Sequence, residues 1–192
     1  MQQHASGFVV GLLNGGCVIL AVALGLLALR AVVVSPPVMD QDYLLYSSPV
    51  LMLVVVAIEE LVFRSFLVGW VSGKTTVTAG VLLSVAVDYL LHIPNGGQTV
   101  LTLVNSVLFS LSACLFYLRL GYGGALGFHY GWNPVQWTLL GFPMYGRTGG
   151  RWFTLEPVAA GWLTGAAYGP ENSLITALVL AAGLALWFRK WW

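Results

Sequence analysis

The chain has 192 residues, of which 58% are hydrophobic and only 8% charged, and its formal net charge is +1. Soluble domains carry roughly 25% charged residues, and so apolar a globule would expose large patches and aggregate, so composition excludes a soluble enzyme and a disordered chain. The small net charge offers no basic footprint and excludes nucleic acid as a partner.

A mean hydropathy of +0.85 leaves a polytopic membrane protein. We read residues 1–192 as one integral membrane domain, an all-α bundle of about six spans. The N-terminus lacks a basic region and a cleavage box, so the first apolar run reads as an uncleaved span. That span runs from Phe8 to Val34 and stops at Pro36-Pro37. Residues 35–48 carry Asp40 and Asp42 and read as an aqueous loop. A second span covers about Pro49 to Val71, and a turn with Gly73 and Lys74 follows. A third runs from about Thr75 to His92 and ends at Pro94-Asn95-Gly96-Gly97, a strong turn signal. The fourth covers about Thr99 to Leu120, Gly121 to Gly124 breaks the helix, and the fifth covers about Ala125 to Phe142. Residues 143–170 form a Gly-rich loop with Arg147, Arg151 and Glu156. Within it, Leu155 to Tyr168 reads as a short interfacial or re-entrant piece, and the count becomes seven if it crosses. The last span covers about Ser173 to Phe188, with Arg189, Lys190, Trp191 and Trp192 as headgroup anchors. Lys74, Arg119, Arg189 and Lys190 fall on one side and Arg30, Arg147 and Arg151 on the other, which leans toward cytoplasmic termini. Cys17 and Cys114 fit no zinc spacing and read as small buried hydrophobes, and His4 reads as uninteresting.

The informative residues are ionisable groups inside spans. Each charge at the bilayer centre costs about 2.5–3.5 kcal/mol on insertion scales. The second span holds Glu59, Glu60 and Arg64, which must face the bundle interior or a wet cavity. Glu60 and Arg64 lie one turn apart on one face and can pair. Glu59 lies about 100° round the helix and has no partner on its own helix. A carboxylate beside another in low dielectric resists ionisation, which makes it a usable proton acceptor. A structural ion pair between helices is the plainer alternative. In the third span Asp88 and His92 are again one turn apart, so the carboxylate can orient the imidazole. A histidine at an interface is the plainer reading there. In the fifth span His129 and Asn133 share a face and can donate to one oxygen atom, or act as an interhelical clamp. Pro134 removes the donor to the Tyr130 carbonyl and predicts a kink beside them. Together these groups form a parts list for hydrolysis: water activation and oxyanion stabilisation.

Glu59-Glu60-Leu61-Val62-Phe63-Arg64 resembles the EExxxR motif of the CPBP intramembrane proteases, which include the type II CAAX prenyl endopeptidases. His92 with Ile-Pro-Asn is similar to the family's FxxxH motif, and His129 to Asn133 to its HxxxN motif. The order and spacing agree over residues 59–133, within a motif-bearing core of about 49–142, and the Gly-rich lead-in Leu163-Thr164-Gly165 to Gly169-Pro170-Glu171 before the last span is similar to tails of many bacterial members. One position departs: Asp88 stands where the family prefers Phe, and is a candidate modulator of His92. The resemblance implies an intramembrane endopeptidase in which Glu59, assisted by His92, activates water. Glu60 and Arg64 would position the site, and His129 and Asn133 would hold the oxyanion.

No cofactor is expected. A zinc alternative recasts Glu59, His92 and His129 as ligands, since catalytic zinc wants three ligands plus water. The competing class is an inactive membrane scaffold that uses the same polar groups to bind partner helices. The expected partners are membrane lipid and a peptide or protein substrate arriving through the membrane or its interface. The expected location is a bacterial or archaeal plasma membrane.

Overall fold

The computed structural model describes residues 2–36, 48–147 and 154–191. The expected loop around Asp40 and Asp42, Arg151, and the Trp192 anchor lie outside the described residues, as does the side chain of His4.

The first helix, α1 (Gln2–Ala28), ends six residues before the expected end of the first span. Arg30 takes a positive φ of 53° and turns the chain out of the helix. Val32–Ser35 then forms a strand, β1, which pairs antiparallel with β2 (Thr154–Pro157), Val32 opposite Pro157 and Ser35 opposite Thr154. Three consecutive β-branched residues before a Pro-Pro pair favour extended backbone over helix, and the hydropathy run hid that switch. β2 opens the segment expected to re-enter the membrane. That segment instead holds a four-residue helix, α5 (Gly161–Thr164), and a single 3₁₀ turn, Ala166–Tyr168, so it does not cross and no seventh span exists there.

The second helix, α2 (Pro49–Glu60), has Pro at its first turn and runs directly into a π-helical stretch, Leu61–Trp70. Its outward stripe is apolar: Val50, Val54, Ile58 and Leu61 are exposed. Its inward stripe carries Met52, Val56, Glu60, Phe63 and Arg64, all buried. The polarity of a soluble helix is thus inverted, as lipid requires. The next helix, α3 (Val77–His92), is capped by Thr76, whose hydroxyl accepts from the Ala79 amide, and a 3₁₀ turn, Ile93–Asn95, follows.

The fourth helix, α4 (Val100–Pro134), starts on a capping box between Thr99 and Thr102. With the π turn Val135–Leu139 it forms a 40-residue apolar stretch, which would be about 60 Å long if straight, twice a bilayer core. It is not straight. Gly121, at φ 72° and ψ −169°, is non-helical and takes a conformation closed to residues with a β-carbon. The chain folds back there. The Phe109 ring on the first arm meets Phe128, His129 and Trp132 on the second at 5.1–5.4 Å. Phe116 stacks on Phe128 at 4.9 Å. The two arms are therefore antiparallel, as the fourth and fifth spans require. The last helix, α6 (Leu174–Trp191), packs Trp187 edge-on against Phe116 at 4.9 Å.

Among the described residues, four helical stretches are long and apolar enough to cross a bilayer: Ser6–Ala28, Val77–Asn95, Val100–Leu139 and Leu174–Trp191. The third is the folded hairpin, and α2 with its π continuation adds a further apolar helix. The protein is a helical membrane bundle.

What joins α1 to the second arm of α4 is the absence of side chains. A β-carbon at Gly11 would strike the carbonyl of Gly124, and one at Gly15 that of Phe128. From the other side, Gly127 meets the Phe8 carbonyl and Gly131 that of Leu12. The matched order means that the two helices run parallel with their backbones in contact. Such close approach gains van der Waals and Cα–H···O contacts where lipid removes the hydrophobic drive. The main core continues from this seam through Ile19, Val22, Leu26, Phe116, Phe128 and Leu180, all nearly inaccessible. Cys114 is buried as expected, but Cys17 lies on the exposed side of α1.

Candidate active site

The polar residues of three elements meet on the side of α4 away from the glycine seam. Arg64 is fully buried, and each edge of its guanidinium has an oxygen. Its Nε lies 3.3 Å from Glu60 Oε2, its Nη1 3.1 Å from Asp88 Oδ2, and its Nη2 3.3 Å from Ser110 Oγ. Glu60 is also fully buried, and its other oxygen is 2.8 Å from His129 Nδ1. Glu60 thus ties α2 to the second arm of α4, while Arg64 ties it to α3 and the first arm. A buried charge needs such pairing, since desolvation alone costs several kcal/mol per ion.

Asp88 bridges two partners. Its Oδ2 takes Arg64, and its Oδ1 lies 3.3 Å from His92 Nδ1. The same His92 nitrogen is 2.7 Å from the Asp88 carbonyl. Both acceptors sit on one side of the ring, so Nδ1–H donates and Nε2 is left for the cavity. Asp88 thus holds His92 and half-neutralises Arg64, two tasks that a Phe at that position cannot perform. Tyr145 lies against the His92 ring at 5.2 Å, on backbone of positive φ.

Glu59 is partly open, with 29% of its side chain exposed, and its Oε2 is 3.7 Å from His129 Nε2. The imidazole of His129 therefore stands between two carboxylates, with Phe109 edge-on to it at 5.1 Å. Among the described residues the ion pairs run Glu59 with His129 and Asp88 with His92, and none joins Glu59 to His92. Glu59 acts electrostatically on His92, while its ion pair is with His129.

A cavity opens beside this cluster. Asp88, His92, His129, Asn133, Tyr145 and Glu171 contribute to its walls. Glu60 and Arg64 are buried next to it, and Glu59 reaches it through His129, 3.7 Å away. Two π-helical stretches flank the site: Leu61–Trp70 begins directly after Glu60, and Val135–Leu139 directly after Pro134. Pro134 keeps helical angles, φ −65° and ψ −33°. The expected kink is instead a widening of the following turn, where the Leu140 amide reaches back to the Val135 carbonyl. Such widened turns recur at functional sites because they re-aim side chains.

Two cavity residues were missed in the sequence. Glu171 precedes the last helix in a 3₁₀ turn, Pro170–Asn172. Its Oε1 accepts from Gln136 Nε2 at 2.6 Å, and its Oε2 is buried with no hydrogen-bond partner. Burial pushes its carboxyl up to about 7. Tyr145 and Tyr168 nearby are raised too, by burial and then by the Glu171 charge. The only sequence signal for Glu171 was a carboxylate at the border of an apolar span.

Among the described residues no three His, Cys, Asp or Glu are grouped so as to hold a metal ion. Both nitrogens of His129 already face carboxylates.

A family model described as Type II CAAX prenyl endopeptidase Rce1-like matches residues 41–135, about half of the chain. The match spans α2, α3 and both arms of α4, and so every element that supplies the ion-paired cluster. No curated protein and no solved structure matches the chain. With its long apolar helices and its three motifs meeting in one buried cluster, the chain is an integral membrane protein of the type II CAAX prenyl endopeptidase Rce1-like family.

Proposed function

We propose that the chain is an intramembrane endopeptidase that hydrolyses a peptide bond in a membrane-associated substrate, of the prenylated CAAX class in its family's description. The observation that carries this reading is His129 held between Glu59 and the buried Glu60, at the edge of a cavity it shares with His92 and Asn133. A lipid-embedded protein gains nothing in stability from such a set that apolar side chains would not supply more cheaply. Chemistry is the reason to keep it.

Glu59 is the proton acceptor. It is the carboxylate of the cluster that Arg64 does not claim, and its side chain is partly exposed. Taking a proton from water frees hydroxide to attack the scissile carbonyl carbon. The oxyanion that forms is held by His129 and Asn133, one helical turn apart on the cavity wall. Glu60 accepts from His129 Nδ1 and keeps the ring aimed, while Arg64 lies against the other oxygen of Glu60. His92, fixed by Asp88, presents Nε2 to the same cavity. Collapse of the intermediate breaks the C–N bond, and the amine leaves with a proton.

The test is cleavage by the purified protein in detergent. A farnesylated CAAX peptide and a membrane-peptide library are incubated with wild type and with Glu59→Gln, and products are read by mass spectrometry. Cleavage by wild type that is lost in the variant and unaffected by a strong chelator is the expected result. Cleavage that a chelator abolishes and zinc restores recasts Glu59, His92 and His129 as ligands. Absence of cleavage by folded wild type across the library leaves the scaffold reading.

A further inference from the structure

We infer that Glu171 is the acid of this site, giving its proton to the departing amine while Glu59 takes one from water. This inference rests on the hydrolase reading above and completes it, since that reading leaves open the source of the amine's proton.

Two carboxyls line the cavity, and their surroundings differ in kind. Asp88 has both oxygens committed, one to Arg64 and one to His92. It is held as an anion and has nothing to give. Glu171 is the reverse. Only Oε1 is engaged, by Gln136, and Oε2 is buried without a partner. The groups around it are Gln136 on the second arm, Asn105 on the first, Tyr145 and Tyr168 on the preceding loops, and Thr176 on α6, all neutral. Among the described residues, His92 is the basic group that acts on it, and Asp88 is paired with His92. A carboxyl so placed stays protonated, and burial brings it to about 7, where an acid is most useful near neutral pH.

The fold invests structure in holding this one side chain. Asn105 Nδ2 donates to the carbonyls of Glu171 and Ser173, both at 2.9 Å, and pins the turn to the first arm. Gln136 is fully buried, and its amide nitrogen also donates to the Pro143 carbonyl at 2.9 Å. Its oxygen accepts from Trp132 Nε1, so its orientation is fixed and it can only donate to Glu171. Gly169, at φ 116°, leaves the space beside Oε2, because a β-carbon there would sit 2.6 Å from that oxygen. A carboxyl raised by burial, set near a second carboxyl beside an imidazole, lets one site supply both acid and base.

The step balances. The tetrahedral intermediate collapses, the C–N bond breaks, and the nitrogen takes the proton of the Glu171 carboxyl. Glu171 is left as carboxylate and Glu59 as the acid that holds the proton from water. Exchange with solvent returns both to the starting state, and no other reactant is needed.

The test compares leaving groups. A farnesylated CAAX peptide and its depsipeptide, with an ester at the bond the wild type cuts, are given to wild type, Glu171→Gln and Glu171→Asp. An alkoxide leaves with far less help than an amide anion. Glu171→Gln is expected to lose about 10²–10³-fold in kcat on the amide and less than 10-fold on the ester. The alkaline limb of the pH–rate profile near pH 7 should vanish. Glu171→Asp, still an acid, should recover part of the amide rate, and it also serves if Glu171→Gln does not fold. Amide turnover in Glu171→Gln within threefold of wild type overturns the inference, and so does an equal loss on amide and ester. Either result leaves the hydrolase reading intact. Failure of the wild type itself to cut the peptide overturns that reading instead.

Discussion

The two faces of α4 are built on opposite terms. On one face the second arm meets α1 through Gly124, Gly127 and Gly131, and α1 answers with Gly11 and Gly15. Nothing there carries charge, and the fit comes from backbones brought into contact. On the other face α2 and α3 offer Glu60, Arg64, Asp88 and His92, and the fit comes from charges that lipid cannot solvate. Substitution should therefore act differently on the two. The seam should answer in stability alone. The polar face should answer in stability where a charge is left unpaired, and in turnover where the pairing is kept.

The largest effect on stability should come from Arg64→Met. It strands Glu60 and Asp88, the first fully buried, and loss of one partner from a buried pair costs about 3–5 kcal/mol. Urea or SDS titration in detergent should show a large drop or no folded protein. Asp88→Asn keeps the shape but removes the charge. His92 retains the backbone carbonyl as acceptor, so the ring stays near its place. A loss of about 10–100-fold in kcat/KM is expected, as for other groups that orient a functional imidazole. A result near wild type would make Asp88 a bystander. Gly11→Val tests the seam. Its side chain meets the Gly124 carbonyl, and overpacking costs about 1–3 kcal/mol. Thermal unfolding should move down, while turnover per folded molecule stays at the wild-type value. A fall in turnover without a fall in Tm would erase the distinction between the faces.

The smallest effect is a pH slope. Glu171 binds its proton more tightly in the folded state, about 7 against 4.5 for the ordinary group. Its contribution to stability is full below about pH 4.5 and is lost as pH rises through about 7. Tm of the wild type should fall across that window more steeply than Tm of Glu171→Gln, with other groups common to both. Parallel curves would mean that the carboxyl is ordinary.

Much of this was legible in the residues. Polar groups in apolar helices must converge, so Glu59, Glu60, Arg64, Asp88, His92 and His129 could be assembled without coordinates. The turn at Gly121 was legible for the same kind of reason, because a 40-residue apolar helix does not fit a bilayer. Three features were not. Val32–Ser35 reads as span because hydropathy cannot tell a β-branched strand from a helix end. The Glu59–His129 pairing depends on how α2 and the second arm of α4 are set against each other, which spacing along one helix does not fix. Glu171 lies outside the segment that the family model matches. Only the Gln136 and Asn105 contacts bring it to the cavity.

If Glu59 serves turnover rather than folding, its loss should appear in rate and not in Tm. Glu59→Gln tests it most directly, because Glu59 is the partly exposed member whose charge Arg64 does not need. Wild type and variant are purified in detergent, and Tm and cleavage of the farnesylated CAAX peptide are measured on the same samples. The account predicts a Tm within a degree or two of wild type and turnover lower by about 10²–10⁴-fold, the usual share of a general base. A variant that keeps cutting at the wild-type rate, or one that loses activity only because it has unfolded, would contradict it.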